Sequence, residues 1–147
     1  MFKKILQMVA FVFLFFNLHA QKLLSSTYDQ IRAQMEIEPD VQNKSFDYNF
    51  NGGTSYIYIL FKNGDKYKFS FTPNTGKLYG MTLSCSSNEK TRNRFYEEIT
   101  KRSAEKRSAE SYIYYDERGR GIFLWLTSTD LGNSVISWEA KFPFAFD

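Results

Sequence analysis

Imidazole is nearly absent from this sequence. The one histidine, His19, lies in an N-terminal segment that reads as a secretory signal. Lys3 and Lys4 give a basic start, Ile5–Phe16 is apolar but for Gln7, and Leu18-His19-Ala20 fits a signal-peptidase site. The apolar run is shorter than the roughly 20 residues a membrane span needs, and no cysteine at the junction supports a lipoprotein route. Cleavage after Ala20 is therefore expected, giving residues 1–20 as signal peptide and 21–147 as one exported domain, periplasmic or secreted. Such a chain contains no imidazole, which excludes Ser-His-Asp and Cys-His nucleophile systems and His-containing metal sites.

Cysteine is equally scarce. Cys85 stands alone, so no intramolecular disulfide and no thiolate metal site can form. The alternation Tyr79, Met81, Leu83, Cys85 predicts an inward-facing, buried thiol. Excess charge is also lacking. The full chain has 19 Lys+Arg against 16 Asp+Glu, and loss of Lys3 and Lys4 leaves 17 against 16. A near-neutral exported domain lacks the basic field that nucleic-acid binding requires. Removing 20 of the 147 residues leaves 127, enough for one domain with a real core.

What the sequence does contain is aromatic residues in alternating runs. Thr27-x-x-Gln30 is a capping-box pattern opening a helix to Ile37, with Tyr28, Ile31 and Met35 on one face and Pro39 as its stop. Four strands are expected next, over Ser45–Phe50, Ser55–Lys62, Asp65–Thr72 and Leu78–Cys85. A second helix starts at Ser87 or Asn88, with Arg92, Phe95, Tyr96 and Ile99 on a shared face. Lys101-Arg102-Ser103-Ala104-Glu105 then repeats letter for letter as Lys106-Arg107-Ser108-Ala109-Glu110. This duplication is expected to extend the helix or the loop after it. Three strands close the chain, over Tyr112–Asp116, Gly121–Ser128 and Ser134–Phe142. In the last, Ile136, Trp138, Ala140 and Phe142 face one way, and Val135, Ser137, Glu139 and Lys141 the other.

The order α-β-β-β-β-α-β-β-β predicts a two-layer α+β domain, a mostly antiparallel sheet of about seven strands with two helices on one face. Its helix-then-meander halves are similar in layout to the small exported β-lactamase-inhibitor-protein-like and PepSY-like domains. That resemblance is architectural and brings no functional residue with it.

Chemical motifs are sparse. Glu97-Glu98 are helix neighbours that point apart, and Asp116-Glu117 sit at a hairpin. Both read as solvated acids. Asp130-Leu131-Gly132-Asn133 reads as a turn, lacking the alternating ligands of a calcium loop. Asn51-Gly52-Gly53-Thr54 joins strand to strand, whereas a phosphate loop leads into a helix. Ser87-x-x-Lys90 is better explained by helix capping than by a Ser-Lys dyad. No cofactor, catalytic residue or metal ligand is assigned.

The function expected is that of a non-catalytic binding module for a protein, peptide or envelope component, acting as a monomer or weak homo-oligomer without a membrane span after signal cleavage. The alternatives are a self-associating structural protein of the envelope, and an enzyme with an unrecognised carboxylate or Ser-Lys site. The candidate binding residues are Tyr56, Tyr58, Lys66 and Lys68, and hairpin register decides where they point. A two-residue Asn63-Gly64 loop puts Tyr56, Tyr58 and Leu60 on the face of Tyr67, Phe69 and Phe71. A three-residue Lys62-Asn63-Gly64 loop with Gly64 left-handed puts Ile57, Ile59 and Phe61 there instead. Burial favours the second, because the aliphatic and Phe side chains go inside and the tyrosines keep their hydroxyls wet. Cover of this row by Phe144-Ala145-Phe146 is the competing expectation.

Overall fold

The computed structural model describes residues 26–49, 51–73, 75–116 and 118–141. The expected signal peptide with cleavage at Ala20, the expected inward position of Phe142 and the expected cover by Phe144-Ala145-Phe146 lie outside the described residues. Helix α1 (Tyr28–Ile37) is followed by strands β1 (Val41–Asp47), β2 (Ser55–Phe61), β3 (Lys66–Phe71) and β4 (Leu78–Ser84). Helix α2 (Asn88–Arg102) leads to β5 (Glu105–Ser108), β6 (Ser111–Tyr115), β7 (Gly121–Ser128) and β8 (Ser134–Ala140). All eight strands form one antiparallel sheet in the order β1-β2-β3-β4-β8-β7-β6-β5. Each half is a helix plus a four-strand meander, and the halves meet through their last strands, β4 against β8.

The strand count is eight rather than seven because the duplicated pentapeptide does not stay helical or coiled. Lys101 and Arg102 end α2, and Ser103 closes it in the left-handed conformation at φ 49°. The second copy runs into β5 and pairs with β6. The first strand is also shifted. It begins at Val41 and ends at Asp47, before Tyr48. Its regular pairing with β2 starts after a bulge between Val41 and Asn43.

Local signals set the helix ends. The Thr27 hydroxyl accepts from the Gln30 backbone N–H, and the Gln30 side chain accepts from the Thr27 N–H at 2.9 Å, completing the capping box. Glu38, ahead of Pro39, is extended at ψ 115° and ends α1. Ser87 caps α2 through the Lys90 N–H. The buried residues of α1 are Tyr28, Ile31 and Met35, as the spacing requires. In α2 they are Thr91, Phe95 and Glu98, with Ile99 packed at the edge of the core. Arg92 and Tyr96, expected on that face, are exposed instead.

Both helices lie on the same side of the sheet as the core. There Ile57, Ile59 and Phe61 join Phe69, Phe71, Leu83, Leu124, Ile136 and Trp138. Burying such side chains contributes roughly 1.5–3 kcal/mol each. The first hairpin takes the three-residue loop. Ile57 opposes Phe69 and Ile59 opposes Tyr67. Phe61 N–H donates to the Asp65 carbonyl and Gly64 N–H to the Phe61 carbonyl, both at 2.9 Å. Gly64 has φ 90°, and a β-carbon there would stand 2.8 Å from that of Ser86. Glycine is required both by backbone geometry and by close approach.

Candidate functional site

The register that buries Ile57, Ile59 and Phe61 turns Tyr56, Tyr58 and Leu60 to the face opposite α1 and α2. On that face Tyr58 opposes Lys68, and Leu60 opposes Lys66. All four candidate residues are thus brought together on one surface of β2 and β3. Tyr58 is 41% exposed, Lys66 is exposed, and Tyr56 and Lys68 are half-buried. The Lys68 ammonium lies 4.2 Å from the Tyr56 ring centroid and 5.7 Å from that of Tyr58. The two rings are themselves 6.1 Å apart. Cation–π attraction of about 0.5–1 kcal/mol at such exposed sites holds the three side chains as a unit. A depression of about 230 Å³ adjoins them, lined by Tyr58, Leu60 and Lys66 with Asn43 and Ser45 of β1.

Two further features of this face come from the tertiary structure. The first is Tyr79, which alternation put inward with Met81 and Leu83. The pairing of β3 and β4 shifts between Ser70 and Phe71, so Leu78 opposes Phe71 and Gly80 opposes Ser70, with Tyr79 as the extra residue. Tyr79 is half-buried beside the Thr54 and Ser70 side chains. Burial, more than any other influence, pushes its phenol up from the ordinary value. The second is on β7, where Phe123 opposes Glu139 and Trp125 opposes Ser137. Their rings are 6.3 Å apart. Phe123 and Trp125 alternate with buried Ile122, Leu124 and Leu126, and that period of two was the sequence signal for them.

Cys85 is half-buried rather than fully inward. It follows the last paired residue of β4, and its backbone N–H donates to the Thr91 hydroxyl at 3.0 Å. Its thiol lines a polar cleft of about 400 Å³ with Asn63, Asp65, Lys90 and Arg94. Burial pushes the thiol up, and the adjacent Asp65 carboxylate adds to that. Such a thiol is held away from the nucleophilic thiolate form.

Glu97 is the solvated surface acid expected, but Glu98 and Asp116 are buried. Glu98 is 4% exposed. Its Oε2 accepts from Arg102 Nε at 2.8 Å, and its Oε1 lies 3.6 Å from Arg94 Nη2. The Arg102 guanidinium sits 4.8 Å from the Tyr114 ring centroid. Asp116 is buried as well and accepts from the backbone N–H groups of Arg118 and Arg120 and from the Arg120 side chain. Burial alone would raise this carboxyl, but those hydrogen bonds outweigh it and hold it below the ordinary value. Both acids face arginines, an arrangement that fixes structure. Among the described residues no cluster of three or more metal-ligating side chains forms.

The Ser87 hydroxyl is occupied as the α2 cap, while Lys90 Nζ donates to Ser86 Oγ at 3.1 Å. All three residues are exposed. No helix among the described residues is long and apolar enough to cross a membrane. Comparison with protein families, with curated proteins and with solved structures finds no match to this chain.

Proposed function

We propose that the chain is an exported, non-catalytic binding module that recognises a protein, a peptide or an envelope component through Tyr56, Tyr58, Lys66 and Lys68. The carrying observation is the Lys68 ammonium set against two tyrosine rings on the face opposite α1 and α2, beside the depression walled by Tyr58, Leu60 and Lys66. Aromatic rings already held in place lose little side-chain entropy on binding, and a neighbouring lysine supplies a directional charge. The basic start and apolar run of residues 1–16 support export.

Selection of peptides from a displayed library tests the reading. Peptides that bind the folded protein are expected to lose at least tenfold in affinity with Tyr58→Ala or Lys66→Glu, about 1.4 kcal/mol, and to be indifferent to Trp125→Ala. Peptides insensitive to Tyr58→Ala would remove this face from consideration.

A further inference from the structure

The two edges of the sheet are built differently. Strand β5 is short and carries Glu105, Lys106 and Arg107, and its pairing with β6 shifts between Lys106 and Ser108. Short length, charge and irregularity are how proteins protect a sheet edge from further pairing. Strand β1 is a seven-residue edge with no neighbour on its outer side among the described residues. After its bulge it pairs regularly with β2 from Asn43 to Asp47. Its one lysine does not guard the edge, because Lys44 Nζ reaches back to the Glu36 carbonyl at 3.1 Å and towards that of Met35.

The regular stretch has its midpoint at Ser45, and its chemistry is complementary to itself about that point. We propose that β1 pairs with β1 of a second copy of this chain, antiparallel about a two-fold axis at Ser45, to give one continuous sheet of two copies. In that register Ser45 faces its counterpart, Asn43 faces the partner's Asp47, and Lys44 faces the partner's Phe46. The Ser45 and Asn43–Asp47 pairs each join a donor to an acceptor, the Lys44 ammonium stays on the α1 carbonyls, and no like charges meet. Moving the axis to Lys44 would oppose two lysines and draw in the bulge. Moving it to Phe46 would leave only three residues of β1 paired. A two-fold arrangement also closes on itself, so pairing stops at two copies. Ile37, 79% exposed, follows the two residues whose carbonyls hold Lys44. The Tyr58 patches of the two copies would lie roughly 14 Å apart, three strand spacings, and a single extended partner could span both.

The protein's mass in solution, measured by light scattering or sedimentation over a range of concentrations, tests this pairing. The wild-type chain is expected to form a dimer. Ser45→Lys, at an exposed position, is expected to weaken that dimer by roughly tenfold or more by opposing two ammonium groups, while its circular dichroism spectrum stays that of the wild type. In a Cys85→Ser background, Ser45→Cys is expected to crosslink two chains on oxidation, and Arg107→Cys on β5 is not. A wild-type chain that stays monomeric at every concentration overturns the proposal. So does a dimer that Ser45→Lys leaves intact, or one crosslinked through Arg107→Cys but not Ser45→Cys.

Discussion

The two halves share a layout of one helix and a four-strand meander, yet bury different chemistry beneath the helix. Helix α1 seals the first meander with Tyr28, Ile31 and Met35, and Tyr28 meets Phe71 edge-on with ring centroids 5.2 Å apart. Helix α2 presents Thr91, Phe95 and Glu98 to the second. There a carboxylate and a guanidinium, both nearly inaccessible to solvent, pair against a tyrosine ring. Buried polar atoms without a hydrogen-bond partner among the described residues occur in both halves, Gln34 Oε1 in the first and Tyr114 OH and Trp138 Nε1 in the second. The apolar seal gains stability from every methylene it removes from water. The polar one relies on the Glu98–Arg102 pair staying intact, since a charge left alone in that setting costs far more than the pair contributes. One architecture thus tolerates either solution, with different sensitivity to mutation.

That contrast can be broken most severely at Glu98. Glu98→Ala strands Arg102 beneath Tyr114 and is expected to cost about 3–5 kcal/mol in denaturant unfolding. The double change Glu98→Met with Arg102→Leu is expected to recover most of that loss, because it makes the second half resemble the first. If the double variant were as unstable as the single, the pair would be doing more than satisfying its own charges.

A smaller effect is expected at Asp116, which ties the β6–β7 turn through three hydrogen bonds. Its lowered pKa means that the unfolded chain takes up a proton at higher pH than the folded one. Its contribution is therefore full above the unfolded value near 3.9 and is lost as pH falls through the lower folded value. Asp116→Asn should cost about 2 kcal/mol at neutral pH and flatten the acid limb of a stability-against-pH curve. An unchanged acid limb would assign that limb to other groups.

The mildest test compares the two caps. Thr27→Ala and Ser87→Ala should each cost about 1 kcal/mol by thermal unfolding, whichever core lies beneath. Cap energy is local, so equal losses in the two halves would confine the difference between them to the buried layer. Unequal losses would show that capping and core are coupled.

Much of this was legible in the residues themselves. Both helix starts follow from Thr27, Gln30 and Ser87, because a cap is a contact over three or four residues. The second helix face was misread because Glu98 was taken for a solvated acid. Its neighbour Arg102 lies in the same helix, but the Tyr114 ring that helps to bury the pair comes from β6. Half of the candidate site was legible in the same way. Tyr56, Tyr58, Lys66 and Lys68 share a face by periodicity once Gly64 fixes the loop. Tyr79 was not, because a bulge is a property of two paired strands and leaves no mark in one of them.

The duplicated pentapeptide draws the line most clearly between what the sequence determined by itself and what tertiary structure decided. The sequence alone determined the α+β class, the caps and the inward set of β8, all of which rest on short-range periodicity and local hydrogen bonds, whereas the inward set of β2 was only favoured until the three-residue loop fixed its register. It could not determine what Lys-Arg-Ser-Ala-Glu becomes, since identical letters carry identical propensities. In the first copy Arg102 is drawn into helix by Glu98 and the Tyr114 ring. In the second, Arg107 is exposed beside Glu105, and the backbone instead finds partners along β6. Propensity differences amount to a few tenths of a kcal/mol per residue. A buried ion pair on one side and a ladder of strand hydrogen bonds on the other outweigh them, and both exist only when distant segments meet.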